Sequence, residues 1–289
     1  MIYIILSIFC SVTVAVLLKL AKRYKISIIQ AVTFNYLTAL TLCFLFFKPD
    51  VKIITGTAPW PIYIALAILL PTIFLFLAAS VKKLGIVKTD IAQRLSLFIP
   101  ILAAFFIFKE DFNQLKFIGL GVGFLAILLT FLRKSESKSE SGNWFYPIIV
   151  FVGFGIIDVL FKQIALHKEL PYTTSLFTVF SLAFFVSLII IIIMIVTKKT
   201  KLQLVNIGCG LILGLFNFGN ILFYLKAHKA LATNPSTVFA AMNLGVIVVG
   251  SLIGILVFKE KLTKLNYFGI ALALCAVILI TISQLNAVR

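Results

Sequence analysis

Acidic side chains are scarce in this sequence. Nine Asp and Glu stand against 26 Lys and Arg in 289 residues, and charged residues of both signs make up only 12% of the chain. Soluble domains carry about a quarter, so there is too little charge here to cover a core facing water. That shortage, together with 62% hydrophobic residues and a mean hydropathy of +1.17, excludes a soluble globule, a disordered chain, a secreted disulfide scaffold and a nucleic-acid module. Histidine is limited to His167 and His228, both near the ends of apolar runs. The clustered His, Asp or Glu of a metal or acid–base enzyme is therefore missing, and no catalytic set, metal or cofactor is expected. The four cysteines, Cys10, Cys43, Cys209 and Cys275, lie in apolar stretches without a C-x-x-C pair and read as small buried hydrophobes. There is no G-x-x-x-x-G-K-[ST] loop, which removes ATP drive within the chain. No basic segment or small-residue cleavage site accompanies the first apolar run, so that run is expected to remain as a membrane helix.

What the sequence does contain is long apolar runs. Uncharged stretches cover 1–18, 26–47, 53–81, 95–108, 117–132, 141–157, 170–197, 202–225, 230–258 and 265–288. A crossing needs about 20 residues, which the fourth run reaches by extending back through Ile86 to Arg94 and the fifth by starting near Phe112. The fold class predicted is an all-α polytopic membrane protein of ten transmembrane helices. Lys and Arg between the runs mark the membrane surface, so the net charge of +17 points to the lipid bilayer as partner and to no nucleic acid. The expected location is a cell membrane, as a multi-pass protein, with a bacterial inner membrane favoured.

Residues 133–143 (RKSESKSESGN) form a polar low-complexity stretch near the midpoint. They divide the chain into a first five-helix repeat, 1–132, a linker, 133–143, and a second repeat, 144–289. Internal similarity supports the division. Phe108-Lys109-Glu110 recurs as Phe258-Lys259-Glu260, 150 residues on, and Leu115 and Gly119 recur as Leu265 and Gly269. Five crossings are an odd number, so the second repeat must enter the membrane from the opposite face. Two inverted five-helix repeats are a recurrent plan of secondary transporters, with the substrate held near the midplane between them.

The run from Tyr224 to Asn243, followed by Gly250-x-x-x-Gly254, Phe258-Lys-Glu260, Leu262-Thr263 and Gly269, resembles the end of an EamA-type domain, and the first half repeats the pattern with Pro100, Glu110 and Gly119. The resemblance to the drug/metabolite transporter superfamily spans essentially the whole chain. It implies a ten-helix exporter or exchanger of small organic metabolites or drugs, with both termini in the cytoplasm. The charge count opposes that orientation. Between the spans, eight Lys and Arg fall on the face where the chain starts and fifteen on the other, which by the positive-inside rule places both termini outside.

Polar and ionisable groups at membrane depth mark functional positions by default. The expected substrate contacts are Asn35 and Tyr36 in span two, Arg94 in span four, Asn217, Asn220 and Tyr224 on one face of span eight, and Asn243 in span nine. Isolated amides in membrane helices also serve as interhelical glue. Asp158 and Lys162, four apart on span six, can neutralise each other. With Asp90 they are the candidates for proton coupling, and Asp90 alternatively caps span four after Thr89. Lys19 lies close enough to its helix end to snorkel to the headgroups. Pro71 and Pro100 are expected to kink their helices or open them to a cavity. Glu110 and Glu260, among lysines at span ends, read as fixing helix junctions. The function expected is secondary transport of a small-molecule substrate by alternating access; the alternatives are a membrane-embedded accessory subunit and a membrane enzyme.

Overall fold

The computed structural model describes residues 1–24, 26–54, 58–84, 86–131, 145–198, 200–259 and 263–287. The linker 133–143, Glu260 and the side chain of Asp90 lie outside the described residues. Every regular element among those described is helical: α1 (Ile2–Arg23), α2 (Ile28–Phe47), α3 (Trp60–Leu84), α4 (Ile86–Leu95), α5 (Phe98–Phe106), α6 (Gln114–Phe131), α7 (Phe145–Leu166), α8 (Tyr172–Val196), α9 (Leu204–Ala230), α10 (Pro235–Leu256) and α11 (Lys264–Ala287), with one 3-10 turn at Val51–Ile53. Eight are long and apolar enough to cross a membrane, and Ala92–Phe106 and Gln114–Thr130 are shorter apolar helices. These are the ten expected crossings, the fourth of them broken into α4 and α5.

The break has a covalent cause. Pro100 has no N–H to give to the carbonyl of Ser96, four residues earlier, and its ring crowds that carbonyl. The backbone responds at that point: the Leu97 N–H turns to Arg94 O (3.3 Å) and the Ile99 N–H to Ser96 O (3.1 Å), both one residue tighter than an α-helix. The kink expected at Pro100 is thus a discontinuity one turn upstream, just after Arg94. Asp90 stands fifth in α4, inside the helix rather than at its start, so the capping role expected after Thr89 does not hold. Pro71, by contrast, sits inside α3 without ending it.

The duplication is written into the backbone. The described residues other than glycine with positive φ are Lys48 (41°), Lys109 (53°), Lys198 (55°) and Lys259 (52°), two pairs separated by 150 residues. Each closes the second or fourth crossing of its repeat. The glycine pair follows the same rule. A Cβ on Gly119 would meet Ile280, and a Cβ on Gly269 would meet Thr130; Thr130 and Ile280 are again 150 apart. These contacts run in opposite directions along α6 and α11, which pack antiparallel. Other interfaces come in twins too: α1 on α9 answers α7 on α3, and α2 on α9 answers α8 on α3.

The two repeats are interleaved, not side by side. α2 lies against α8 and α9, and Gly210 and Gly214 let its backbone come close. An added Cβ at Gly210 would sit 2.7 Å from Ala31 O, and one at Gly214 would sit 2.6 Å from Asn35 O. Small residues four apart allow such approach in lipid, where there is no water to drive apolar helices together. Where these two helices begin, Gln30 donates to Lys201 O (2.7 Å) and accepts from Asn206 Nδ2 (2.9 Å). On the opposite face, where α3 and α8 begin, the hydroxyls of Tyr63 and Ser175 are 2.7 Å apart. Large apolar side chains such as Phe185, Ile189 and Ile193 face outward, as a lipid-facing surface requires. Cys43 is buried, Cys10 and Cys209 are half-buried and Cys275 is exposed, so the expectation that all four cysteines are buried holds only for Cys43; the position of Cys275 on α11 faces the lipid side.

Candidate functional site

Three of the polar residues expected to contact substrate or carry protons come together around α7, which packs on both α4 and α9. Tyr224, on α9, donates its phenol to Asp158 Oδ1 on α7 at 2.9 Å. Arg94, the penultimate residue of α4, exerts a favourable charge–charge interaction on Asp158. α4 ends one residue after Arg94, whose side chain is half-buried. An acid, a guanidinium and a phenol from three crossings and both repeats therefore share one region. Lipid offers none of them a partner.

Lys162 departs from the sequence reading. It is fully buried, yet no ion pair with Asp158 exists; its ammonium donates to Ala232 O at 2.9 Å and His228 O at 3.4 Å. His228 O belongs to the last turn of α9 and Ala232 O to the turn just past its end, where carbonyls lack intrahelical donors. A lysine there satisfies them and favours the negative end of the helix. Lys162 is a latch between α7 and the end of α9, not the counter-ion of Asp158. Its ammonium is also 5.9 Å from the Phe108 ring. The twin arrangement is Lys19 on α1, whose ammonium is 3.8 Å from the Phe258 ring. Each lysine thus approaches the phenylalanine of the other repeat's Phe-Lys-Glu motif, but Lys162 is buried while Lys19 is exposed.

The amides separate into different roles. Asn217 is buried and lies seven residues before Tyr224, on the same side of α9. Asn220 turns away, and Ser7 of α1 donates to both its backbone and side-chain oxygens at 2.9 Å. Asn243 donates to Phe239 O of its own helix at 3.1 Å. Asn35 is fully buried with no partner for either amide atom, and the neighbouring Tyr36 hydroxyl is likewise unpartnered. Both reside on α2 between α8 and α9, with no described bond to the Asp158 group.

Two features escaped the sequence reading. His228 is fully buried with neither ring nitrogen bonded, and it packs between Tyr224 and Phe239 at ring-centroid distances of 4.6 and 4.7 Å. Its spacing of four from Tyr224 was available as a signal, but proximity to a span end masked it. The other is the partner of Glu110. This buried carboxylate pairs with Lys116 at 2.6 Å and accepts the Ser236 N–H (2.9 Å) and hydroxyl (2.7 Å). Lys116 in turn donates to Asn234. Glu110 therefore supplies from the first repeat the anion that the N-terminus of α10 needs, which accords with its reading as a helix-junction residue.

The model of the EamA-like transporter family matches residues 1–132 and 143–282. The chain belongs to the EamA-like transporter family. An uncharacterized protein of Haemophilus influenzae (strain ATCC 51907 / DSM 11121 / KW20 / Rd) is 44% identical over 282 residues, covering 95% of both chains. A solved crystal structure aligns over 97% of this chain and 96% of its own with a TM-score of 0.73 at 12% identity, which shows the fold alone. This EamA-like protein is accordingly a multi-pass membrane protein of a family that transports small molecules, not a family of enzymes. Among its described residues there is no group of three or more His, Cys, Asp or Glu placed to hold a metal. The chemistry available to this EamA-like transporter at the Arg94, Asp158 and Tyr224 junction is hydrogen bonding and charge recognition.

Proposed function

We propose that the protein is a secondary transporter that carries a small organic solute across the cell membrane by alternating access, binding it between the repeats at Arg94, Asp158 and Tyr224. The observation that carries this reading is the Tyr224 to Asp158 hydrogen bond beside Arg94, three polar groups from both repeats gathered where a helix is interrupted. Broken helices at the junction of inverted repeats are where such transporters hold substrate. Asn217 and His228 extend the lining along α9, and Asp90 and Lys162 lie on the two helices that carry Arg94 and Asp158. Asn35 and Tyr36, buried and unpartnered, are further contacts. Asp158 is the group through which a proton gradient would couple.

The contrast between the twin lysines supports a state closed at the face where α7 ends and α8 begins, and open toward the other. Lys162 is sealed against the carbonyls of α9, while Lys19 remains exposed.

The test is transport by the purified protein in liposomes against a panel of amino acids, amines, organic acids and nucleosides, with and without a proton gradient. Saturable uptake of one class, lost in Asp158→Asn, is the expected result. Absence of saturable movement for every class under both conditions overturns the proposal.

A further inference from the structure

A concavity whose wall includes none of Arg94, Asp158 and Tyr224 lies at the level of the helix ends. It has a volume of about 620 Å³ and sits where α7 finishes, α8 starts and α9 finishes, lined by Ala165, Leu166, His167, Lys168, Glu169, Leu170, Pro171, Tyr172, Lys229 and Ala232. The size falls in the range of small-ligand sites. Its wall divides by chemistry. Leu166 and Leu170 supply apolar surface, whereas Lys168, Lys229 and Glu169 are exposed and charged, leaving one net positive charge.

Two details go beyond ordinary snorkelling. The Lys229 ammonium is 5.4 Å from the Tyr172 ring centroid, so an aromatic ring of the same wall holds it over the pocket. His167 keeps its Nε2 buried with no hydrogen-bond partner, a polar atom in the wall that is left unused. The Pro171 and Tyr172 stretch also opens α8, so the positive end of that helix faces the same place. Basic pockets between membrane helices on the cytoplasmic side take phospholipid headgroups, the side on which the family orientation, against the charge count, puts this face, and tyrosine at this depth belongs to the interfacial belt.

We infer that this pocket binds the phosphate of a phospholipid headgroup, with Lys168 and Lys229 as the cationic contacts and Leu166 and Leu170 against the glycerol end of the lipid. The wall also adjoins the Lys162 latch. Ala232, part of the wall, is the residue whose carbonyl holds Lys162, so a bound headgroup rests on the segment that latches α7 to α9.

The test uses full-length protein, delipidated in detergent and titrated separately with phosphatidylglycerol, with diacylglycerol and with inorganic phosphate, read by native mass spectrometry and by melting temperature. Phosphatidylglycerol should bind and raise the melting temperature, and diacylglycerol should not. Lys168→Gln with Lys229→Gln should weaken lipid binding at least tenfold, while the paired arginine substitutions keep it. Lys48→Gln with Lys52→Gln, on the same face, should leave binding unchanged. Protection by inorganic phosphate alone at millimolar concentration would show that the pocket takes a free anion in place of a lipid. Equal phosphatidylglycerol binding by the wild type and the Lys168 and Lys229 glutamine variant, or equal loss in the Lys48 and Lys52 control, overturns the inference. The arginine variant carries the test if the glutamine variant misfolds: its failure to bind lipid while melting as the wild type does would also overturn it.

Discussion

Glu110, at the end of the first repeat's fourth crossing, takes both the amide and the hydroxyl of Ser236, the second residue of α10. One carboxylate thereby caps a helix 126 residues away and neutralises Lys116. Removing one partner of a buried ion pair strands the other, at a cost of about 3 kcal/mol. Glu110→Gln should destabilise the protein by that order in reversible unfolding from mixed micelles. The double variant with Lys116→Met should recover a large part of the loss. Equal stability of Glu110→Gln and the wild type would show that the pair contributes nothing.

Asp158 and Tyr224 give a graded series. Asp158→Asn should abolish gradient-driven accumulation in proteoliposomes yet leave part of the substrate exchange, since the amide still hydrogen-bonds but carries no exchangeable charge. Tyr224→Phe removes the phenol that positions the Asp158 carboxyl, a hydrogen bond worth about 1 kcal/mol, and should weaken substrate affinity by about fivefold while leaving the fold intact. Unchanged accumulation in Asp158→Asn would remove the carboxylate from coupling and leave exchange or facilitated diffusion as the mechanism.

The seam between α2 and α9 separates three glycines that look alike in sequence. Gly210→Ala and Gly214→Ala place a methyl group within 2.7 and 2.6 Å of backbone oxygens of α2, whereas a Cβ at Gly208 meets nothing within 4 Å. Overpacking of this kind costs about 1 to 3 kcal/mol. The first two variants should lower melting temperature and folded yield, and Gly208→Ala should behave as the wild type. A ranking that puts Gly208→Ala below Gly214→Ala would contradict the tight crossing.

Cysteine labelling resolves the amides. In a background without the four native cysteines, Asn217→Cys should react with a small polar thiol reagent from one side of the membrane and be protected by substrate. Asn220→Cys, which faces Ser7 on α1, should show no substrate protection. Protection at position 220 but not at 217 would place the cavity on the other side of α9.

The duplication was readable because Phe108-Lys109-Glu110 and Phe258-Lys259-Glu260 share side-chain identities. The matching turn at Lys48 and Lys198 shares a backbone angle instead, and only its lysines hint at it in the sequence. Arg94, Asp158 and Tyr224 were legible one at a time as polar groups in apolar runs. Their meeting was not, because it depends on which helices pack. A spacing of four along a helix suggests that Lys162 can neutralise Asp158, while its partners are carbonyls at and just past the end of α9, and every residue has a carbonyl. Asn220 shares a helix face with Tyr224 on a helical wheel, but the crossing of α1 claims it. Pro100 marked a weak point in span four, and the break appeared one turn earlier because a proline disrupts the carbonyl behind it.

The interleaving of α2 with α8 and α9 also bears on how the chain is made. Gln30 waits for Asn206, 176 residues downstream, and at about 5 to 20 residues per second the ribosome takes on the order of 10 to 35 s to deliver it. Through that interval α2 stands in the bilayer with Gln30 and Asn35 turned toward lipid or early neighbours. The bonds that tie α2 to α9 can therefore form only once the second repeat has been made.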